Sequence, residues 1–167
     1  MPPPSVHPYG DPPQQVIVRQ TIGADPATVF ALFTHHRHLE QWFCDEAQSD
    51  ERLGGEVHAV WADDDGEGSH ERVGHWVAWE PPHLAVVEWF GVQTAQDETK
   101  NTEKLPSDFW RVAIAPHPDG CMVTVVSPVL RSEGTVRPQV LYDSAKMGWE
   151  MVLQGMGDLI RSAEAKP

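Results

Sequence analysis

Residues 138–163, PQVLYDSAKMGWEMVLQGMGDLIRSA, decide the fold. Leu141, Ala145, Trp149, Val152, Met156 and Leu159 recur there at steps of four and three, so they share one face of an α-helix. At about 1.5 Å per residue such a helix is long enough to cross a whole sheet. The residues before it read as the strands of that sheet.

Immediately upstream, Phe109 to Ala115 and Cys121 to Val126 form a hairpin across His117-Pro118-Asp119-Gly120, whose Asp-Gly suits a tight turn. Leu84 to Phe90 is another strand. His70 to Trp79 returns a hairpin from the alternating Val57, Ala59 and Trp61, across the acidic glycine turn at 63–68, and ends on Pro81-Pro82. Trp76 and Trp79 are separated by an odd step, so a regular strand cannot turn both inward; a bulge or an exposed indole has to resolve this. The connection 91–108 is polar and long for a hairpin, and is expected to be more mobile than the sheet and to border the entrance to any cavity.

Further back, Gln15 to Ile22 is a β-branched strand with Val16, Val18 and Ile22 on one side. Asp25-Pro26 is an N-cap with proline at the first helical position, where its missing N–H costs nothing. Val29, Phe30, Leu32 and Phe33 give that helix an apolar face; a second short helix covers Arg37 to Trp42, after a histidine-rich bend at 35–38. Residues 1–14 hold six of the fifteen prolines and are read as a flexible tail; 15–163 form the domain, and 164–167 a short C-terminal tail. The order is strand, two short helices, antiparallel strands, one long helix: an α+β domain.

At 167 residues the chain can bury a proper core. Its net charge of −13 repels phosphate backbones and anionic membrane surfaces, so neither nucleic acid nor membrane is an expected partner. No run approaches the ~20 apolar residues of a membrane helix. Met1-Pro2-Pro3-Pro4-Ser5 lacks the basic and apolar regions of a signal peptide, so a cytoplasmic location is expected. Two cysteines, Cys44 and Cys121, with no C-x-x-C pair, exclude a disulfide scaffold or zinc ribbon.

Four stretches resemble a known family. Val16-Ile17-Val18-Arg19 with Ala24 to Phe30 resembles its opening strand and helix, and Leu39-Glu40-Gln41-Trp42-Phe43 its short second helix. Gly54-Gly55 followed by Gly74-His75-Trp76-Val77-Ala78-Trp79-Glu80-Pro81-Pro82-His83-Leu84 resembles its glycine-started strand and proline corner, and Gly148-Trp149 with Leu153 its closing helix. In this order they resemble the START-like (SRPBCC, Bet v 1-like) superfamily, in the group related to the C-terminal domain of the Hsp90 ATPase activator. The resemblance implies a helix-grip fold: a curved antiparallel sheet wrapped around a long C-terminal helix, with two short helices after the first strand and a cavity between sheet and helix. Family members bind lipids, polyketides and other apolar molecules; some are enzymes, some carriers, and a few act on a chaperone in the stress response. The chain departs from the family in its seven tryptophans, its 91–108 connection and its proline-rich start.

Those tryptophans either fill a core or wall a pocket for an apolar ligand, since both uses draw on the same residues. Trp42, Trp61, Trp76, Trp89, Trp110 and Trp149, with Leu153, are the candidate ligand-binding residues. The leading expectation is a carrier or sequestering protein for a small hydrophobic molecule. A second is a cyclase, dehydratase or hydrolase using a His–carboxylate pair in the same cavity, for which His58, His70, His75 and Glu88 are the strand candidates. Strand alternation also allows His58 and His75 to face water. Arg111 stands between anchoring a ligand carboxylate and facing solvent. A third expectation is a chaperone-interacting module, although no exposed face marks one; a homodimer is likewise left open. His35, His36 and His38 lack a matching Cys or carboxylate apart from Glu40, so no metal is expected, and no cofactor. No nucleophile elbow, phosphate-binding glycine loop or H-E-x-x-H occurs.

Overall fold

The computed structural model describes residues 15–62, 68–91, 108–129 and 138–165. The elements run β1 (Gln15–Ile22), α1 (Pro26–Thr34), α2 (His36–Trp42), β2 (Glu46–Ser49), β3 (Glu56–Ala62), β4 (Ser69–Glu80), β5 (Leu84–Gly91), β6 (Asp108–His117), β7 (Gly120–Pro128) and α3 (Pro138–Ala165). Seven strands form one antiparallel sheet in the order β1-β7-β6-β5-β4-β3-β2. It curves around the long C-terminal helix, which makes this the α+β helix-grip fold that the sequence resembles. The expected tail 1–14 and the expected 91–108 connection lie, but for Gly91 and Asp108, outside the described residues.

Strand alternation sorts the side chains onto two faces. Val16, Val18 and Ile22 of β1, Val57 and Ala59 of β3, Val87 and Trp89 of β5, Trp110, Val112 and Ile114 of β6, and Cys121, Val123 and Val125 of β7 are buried on the concave face. Trp76 and Trp89 are fully enclosed, and burying side chains of this size contributes roughly 1.5–3 kcal/mol each. The odd Trp76/Trp79 step is resolved by a bulge: the β4–β5 register shifts between Trp76 and Ala78. Both indoles then meet the core, 5.1 Å apart, with Trp79 edge-on to Phe30.

Two glycines are dictated by space. Gly74 lies on the concave face, where a Cβ would stand 2.7 Å from Val87 Cγ2 and 2.8 Å from Trp89 Cε3; its bare backbone makes the room Trp89 occupies. Gly120 closes the β6–β7 hairpin at φ +134°, and a Cβ there would drive into the carbonyl of Ile22 and the amide of Ala24, 2.7 Å away.

Asp25 caps α1, with Pro26 in its first turn, and its carboxylate accepts a hydrogen bond from the Thr28 hydroxyl. The histidine bend is shorter than the sequence suggests. Only His35 is non-helical; its Nδ1 accepts from the Arg37 amide and so caps α2, whose first turn begins at His36. On α3 the buried line runs Leu153, Met156, Ile160, and Leu159 lies to the side of it. That line packs against β1 and the core.

Candidate functional site

Six of the seven candidate ligand-binding residues form one continuous aromatic assembly between the sheet and the helices. Trp110 is its hub. Ring centroids lie 5.8 Å away at Trp76, 6.2 Å at Trp89, 6.3 Å at Trp42 and 6.3 Å at Trp149. Trp61 joins through Phe43, edge-on at 5.1 Å, and Phe43 also meets Trp89. Such offset and edge-to-face contacts suit the ring quadrupoles. Leu153, the seventh candidate, is fully buried on α3, one turn beyond Trp149.

Hydrogen bonding divides the indoles. Trp42 Nε1 donates to the Leu32 carbonyl at 2.7 Å, Trp61 Nε1 to the Phe43 carbonyl at 2.6 Å, and Trp76 Nε1 to Ser49 Oγ at 3.4 Å. These bonds tie the short helices and the β2 end to the assembly. Trp110 Nε1 is buried and has no hydrogen-bond partner among the described residues.

The closing helix is held unevenly. Its second half buries Leu153 and Met156 completely, whereas Leu141, Tyr142, Ala145 and Trp149 in the first half are only partly covered, although their face looks toward the same assembly.

Beyond the tryptophans, the concave face carries an ion pair that the sequence reading missed. Arg72 Nη1 lies 3.3 Å from Asp108 Oδ2, and Asp108 Oδ1 accepts the Phe109 amide at 2.8 Å. Burial pushes the Asp108 carboxyl above its usual range, while the Phe109 amide and the Arg72 guanidinium pull it back. The signal was present in strand parity: Arg72 has the parity of Gly74 and Trp76, and Asp108 that of Trp110. His70 shares this end of the face, its ring stacked on Trp61 at 5.3 Å and 9°.

The other polar candidates are elsewhere. His58 and His75 are on the convex face. His58 Nε2 is 2.9 Å from Glu71 Oε2, so a His–carboxylate pair does exist, but on the side away from the tryptophans. It borders an open groove of about 560 Å³ lined by Glu40, Glu46, Gln48, Val60 and Glu71 among others. Glu88 pairs in register with His75 on that same convex face, and Arg111 is exposed there. Of the two readings that strand alternation allowed for His58 and His75, the pleat gives the outward one, and it turns Glu88 outward with them. Among the described residues, no group of three or more His, Cys, Asp or Glu is placed to hold a metal ion, and no helix is long and apolar enough to cross a membrane.

A curved antiparallel sheet gripping a long C-terminal helix is the fold of the START-like class. The family model described as activator of Hsp90 ATPase homolog 1-like protein matches residues 23–161, and the chain belongs to that family. Among solved structures, the SA2116 protein from Staphylococcus aureus superposes with a TM-score of 0.70 at 15% identity, covering 91% of this chain and 96% of its own. An AHSA1-like protein from Aeromonas hydrophila gives 0.64 at 15%, covering 90% and 94%. CalU16 from Micromonospora echinospora gives 0.60 at 23%, covering 92% and 80%. At these identities the likeness is one of fold. No curated protein matches the sequence.

Proposed function

We propose that the chain binds a small apolar molecule between the concave face of the sheet and the first half of α3, as a carrier or sequestering protein. Trp110 carries this reading. A buried indole N–H without a partner loses the hydrogen bond water would give it, and such groups in native proteins usually have a partner. A ligand carbonyl or phenol oxygen seated against the aromatic assembly would accept from it. The partly covered Leu141, Tyr142, Ala145 and Trp149 would close over the apolar remainder. Arg72 and Asp108 would meet a polar end of the ligand, in keeping with pockets that are mostly apolar with a few placed polar groups.

An enzyme working through His58 is disfavoured by the position of its pair with Glu71 on the convex face. Action on a chaperone is suggested by the family's name alone, and a shared fold does not carry function.

Titration with a neutral apolar dye, Nile red, followed by tryptophan quenching and thermal melting, tests the proposal. Saturable binding of one equivalent with a rise in Tm is expected, because a ligand that prefers the folded state stabilises it by mass action. Trp110→Phe removes the donor and, by shrinking a buried indole to a phenyl, also lowers Tm. It should weaken an oxygen-bearing ligand by about tenfold more than it weakens one with no acceptor, the worth of one hydrogen bond in a dry site. Absence of saturable dye binding, together with no apolar molecule retained in native mass spectra, would overturn the reading.

A further inference from the structure

Among the described strands, Arg72 is the only Lys or Arg on the concave face; Arg19 and Arg111 are exposed on the convex one. Its register partners there, Ala59 on β3 and Gly91 on β5, are both small. The guanidinium is accordingly left open, its side chain 36% exposed against 17% for Asp108. A guanidinium carries five N–H donors in a planar fork. Arg72 makes one polar contact among the described residues, Nη1 to Asp108 Oδ2 at 3.3 Å. That is longer than the about 2.7–2.9 Å of a close charge-assisted bond. Asp108, by contrast, is engaged at both oxygens, by the Phe109 amide and by Arg72. The pair is rich in donors and short of acceptors.

We propose that Arg72 anchors the head group of the ligand, and that this ligand is an amphipathic carboxylic acid bound as its anion. The inference rests on the reading that an apolar molecule lies against the concave face. A carboxylate is the planar acceptor that a guanidinium fork fits. The neighbours give the bound acid a direction. Trp89 is paired opposite Asp108, and Trp110 follows Asp108 by two residues on the same face of β6, about 6.6 Å along the strand. Trp110 in turn meets Trp149 at 6.3 Å. A carboxylate on Arg72 therefore sends its apolar body across Trp89 and Trp110 toward the first half of α3.

An amine is the poorer fit, because the carboxylate it would need is already engaged at both oxygens and stands beside a cation. Asp108 also repels an incoming acid, so its charge holds the affinity below what Arg72 alone would give. The net charge of −13 acts from farther away and is screened beyond about 8 Å at physiological ionic strength, whereas Arg72 acts at contact.

Displacement of Nile red from the full chain by decanoate, 1-decanol and decylammonium tests the proposal, at neutral pH, physiological ionic strength and below micellar concentrations. One tail carries three head groups, and none offers Trp110 an oxygen along the tail, so the series reads the head group alone. Decanoate should displace the dye at about tenfold lower concentration than 1-decanol, the worth of one charge-assisted hydrogen bond, and decylammonium should be the weakest. Arg72→Met should bring decanoate down to the level of 1-decanol and leave 1-decanol unchanged. Arg72→Met combined with Asp108→Asn removes both charges, avoids a covered carboxylate without its cation, and should lose the acid preference equally. Asp108→Asn alone should tighten decanoate. Equal displacement by decanoate and 1-decanol, tightest displacement by decylammonium, or an acid preference that survives loss of Arg72 would overturn the proposal and leave the apolar site standing. Displacement by none of the three would overturn both.

Discussion

Arg72 and Asp108, 36 positions apart in the chain, meet at 3.3 Å on the concave face because β4 and β6 both flank β5, with Trp89 paired directly opposite Asp108. The pair sets charge beside an otherwise apolar aromatic assembly. Its two halves are not equivalent. Arg72 reaches water, whereas Asp108 is largely covered.

That asymmetry fixes the sign of two substitutions. Because the Asp108 carboxyl is raised by burial, the folded protein holds its proton more tightly than the unfolded chain does. The charged carboxylate therefore weakens the fold above the raised pKa, and stability recovers as pH falls through it toward the ordinary value of 3.8. Asp108→Asn should equal or slightly exceed the parent in urea denaturation at pH 7, with the difference shrinking toward pH 4. Arg72→Ala should act the opposite way at pH 7, since it leaves the covered carboxylate without its cation.

Gly74→Ala should destabilise by about 1–3 kcal/mol, the usual cost of overpacking a filled core. The added methyl would press on Val87 and the Trp89 ring, so the near-ultraviolet circular dichroism of the indoles should change as well. Alanine at Gly148, where a Cβ meets nothing, should do neither.

Burial, with Glu40 and Asp45 nearby, pushes the Cys44 thiol up to about 11 against an offsetting contact with the Val60 backbone. A raised thiol contributes stability that is full below its unfolded value of 9.0 and is lost as pH rises toward 11. Cys44→Ala should consequently show a shallower loss of stability between pH 9 and 11 than the parent, by up to ~2–3 kcal/mol. At pH 7 Cys44 and Cys121, both buried, should react with iodoacetamide only as fast as the protein unfolds.

His58→Ala should leave Nile red binding unchanged and shift stability by no more than ~0.5 kcal/mol, since its pair with Glu71 is solvent-accessible and on the far face. A tenfold loss of binding would relocate the site to the convex groove.

Much of this architecture is legible in periodicity. Val16 and Val18 mark the inner side of β1, the Leu141–Met156 steps mark α3, and the odd Trp76–Trp79 step demands either a bulge or an exposed indole, of which the structure has the bulge. β2 is not legible. Glu46-Ala47-Gln48-Ser49 is short and polar, and is a strand only because β3 offers it an edge. Polar partnerships were missed for a related reason: Arg72 with Asp108, and His58 with Glu71, follow from register between strands, which no single stretch contains. The rotation of α3 toward Leu153 and Ile160 likewise reflects where β1 lies, which the helix's own sequence does not state.

In the sheet, neighbours in space are neighbours in sequence except at one seam, where β1 pairs with β7 along its whole length. Gln15 finds its partner, Pro128, more than a hundred residues later. On the ribosome, β1 leaves the exit tunnel first and waits with both edges unpaired while β2 through β6 are made. α3, which covers it, is made last. The native barrier to aggregation is thus absent for most of synthesis, since an unpaired strand edge is a template for other chains. Sheet closure is also a long-range event of the slow kind. The exposed Gln15, Arg19 and Thr21 on β1 are polar and charged side chains of the kind that discourage a waiting strand from pairing with other chains.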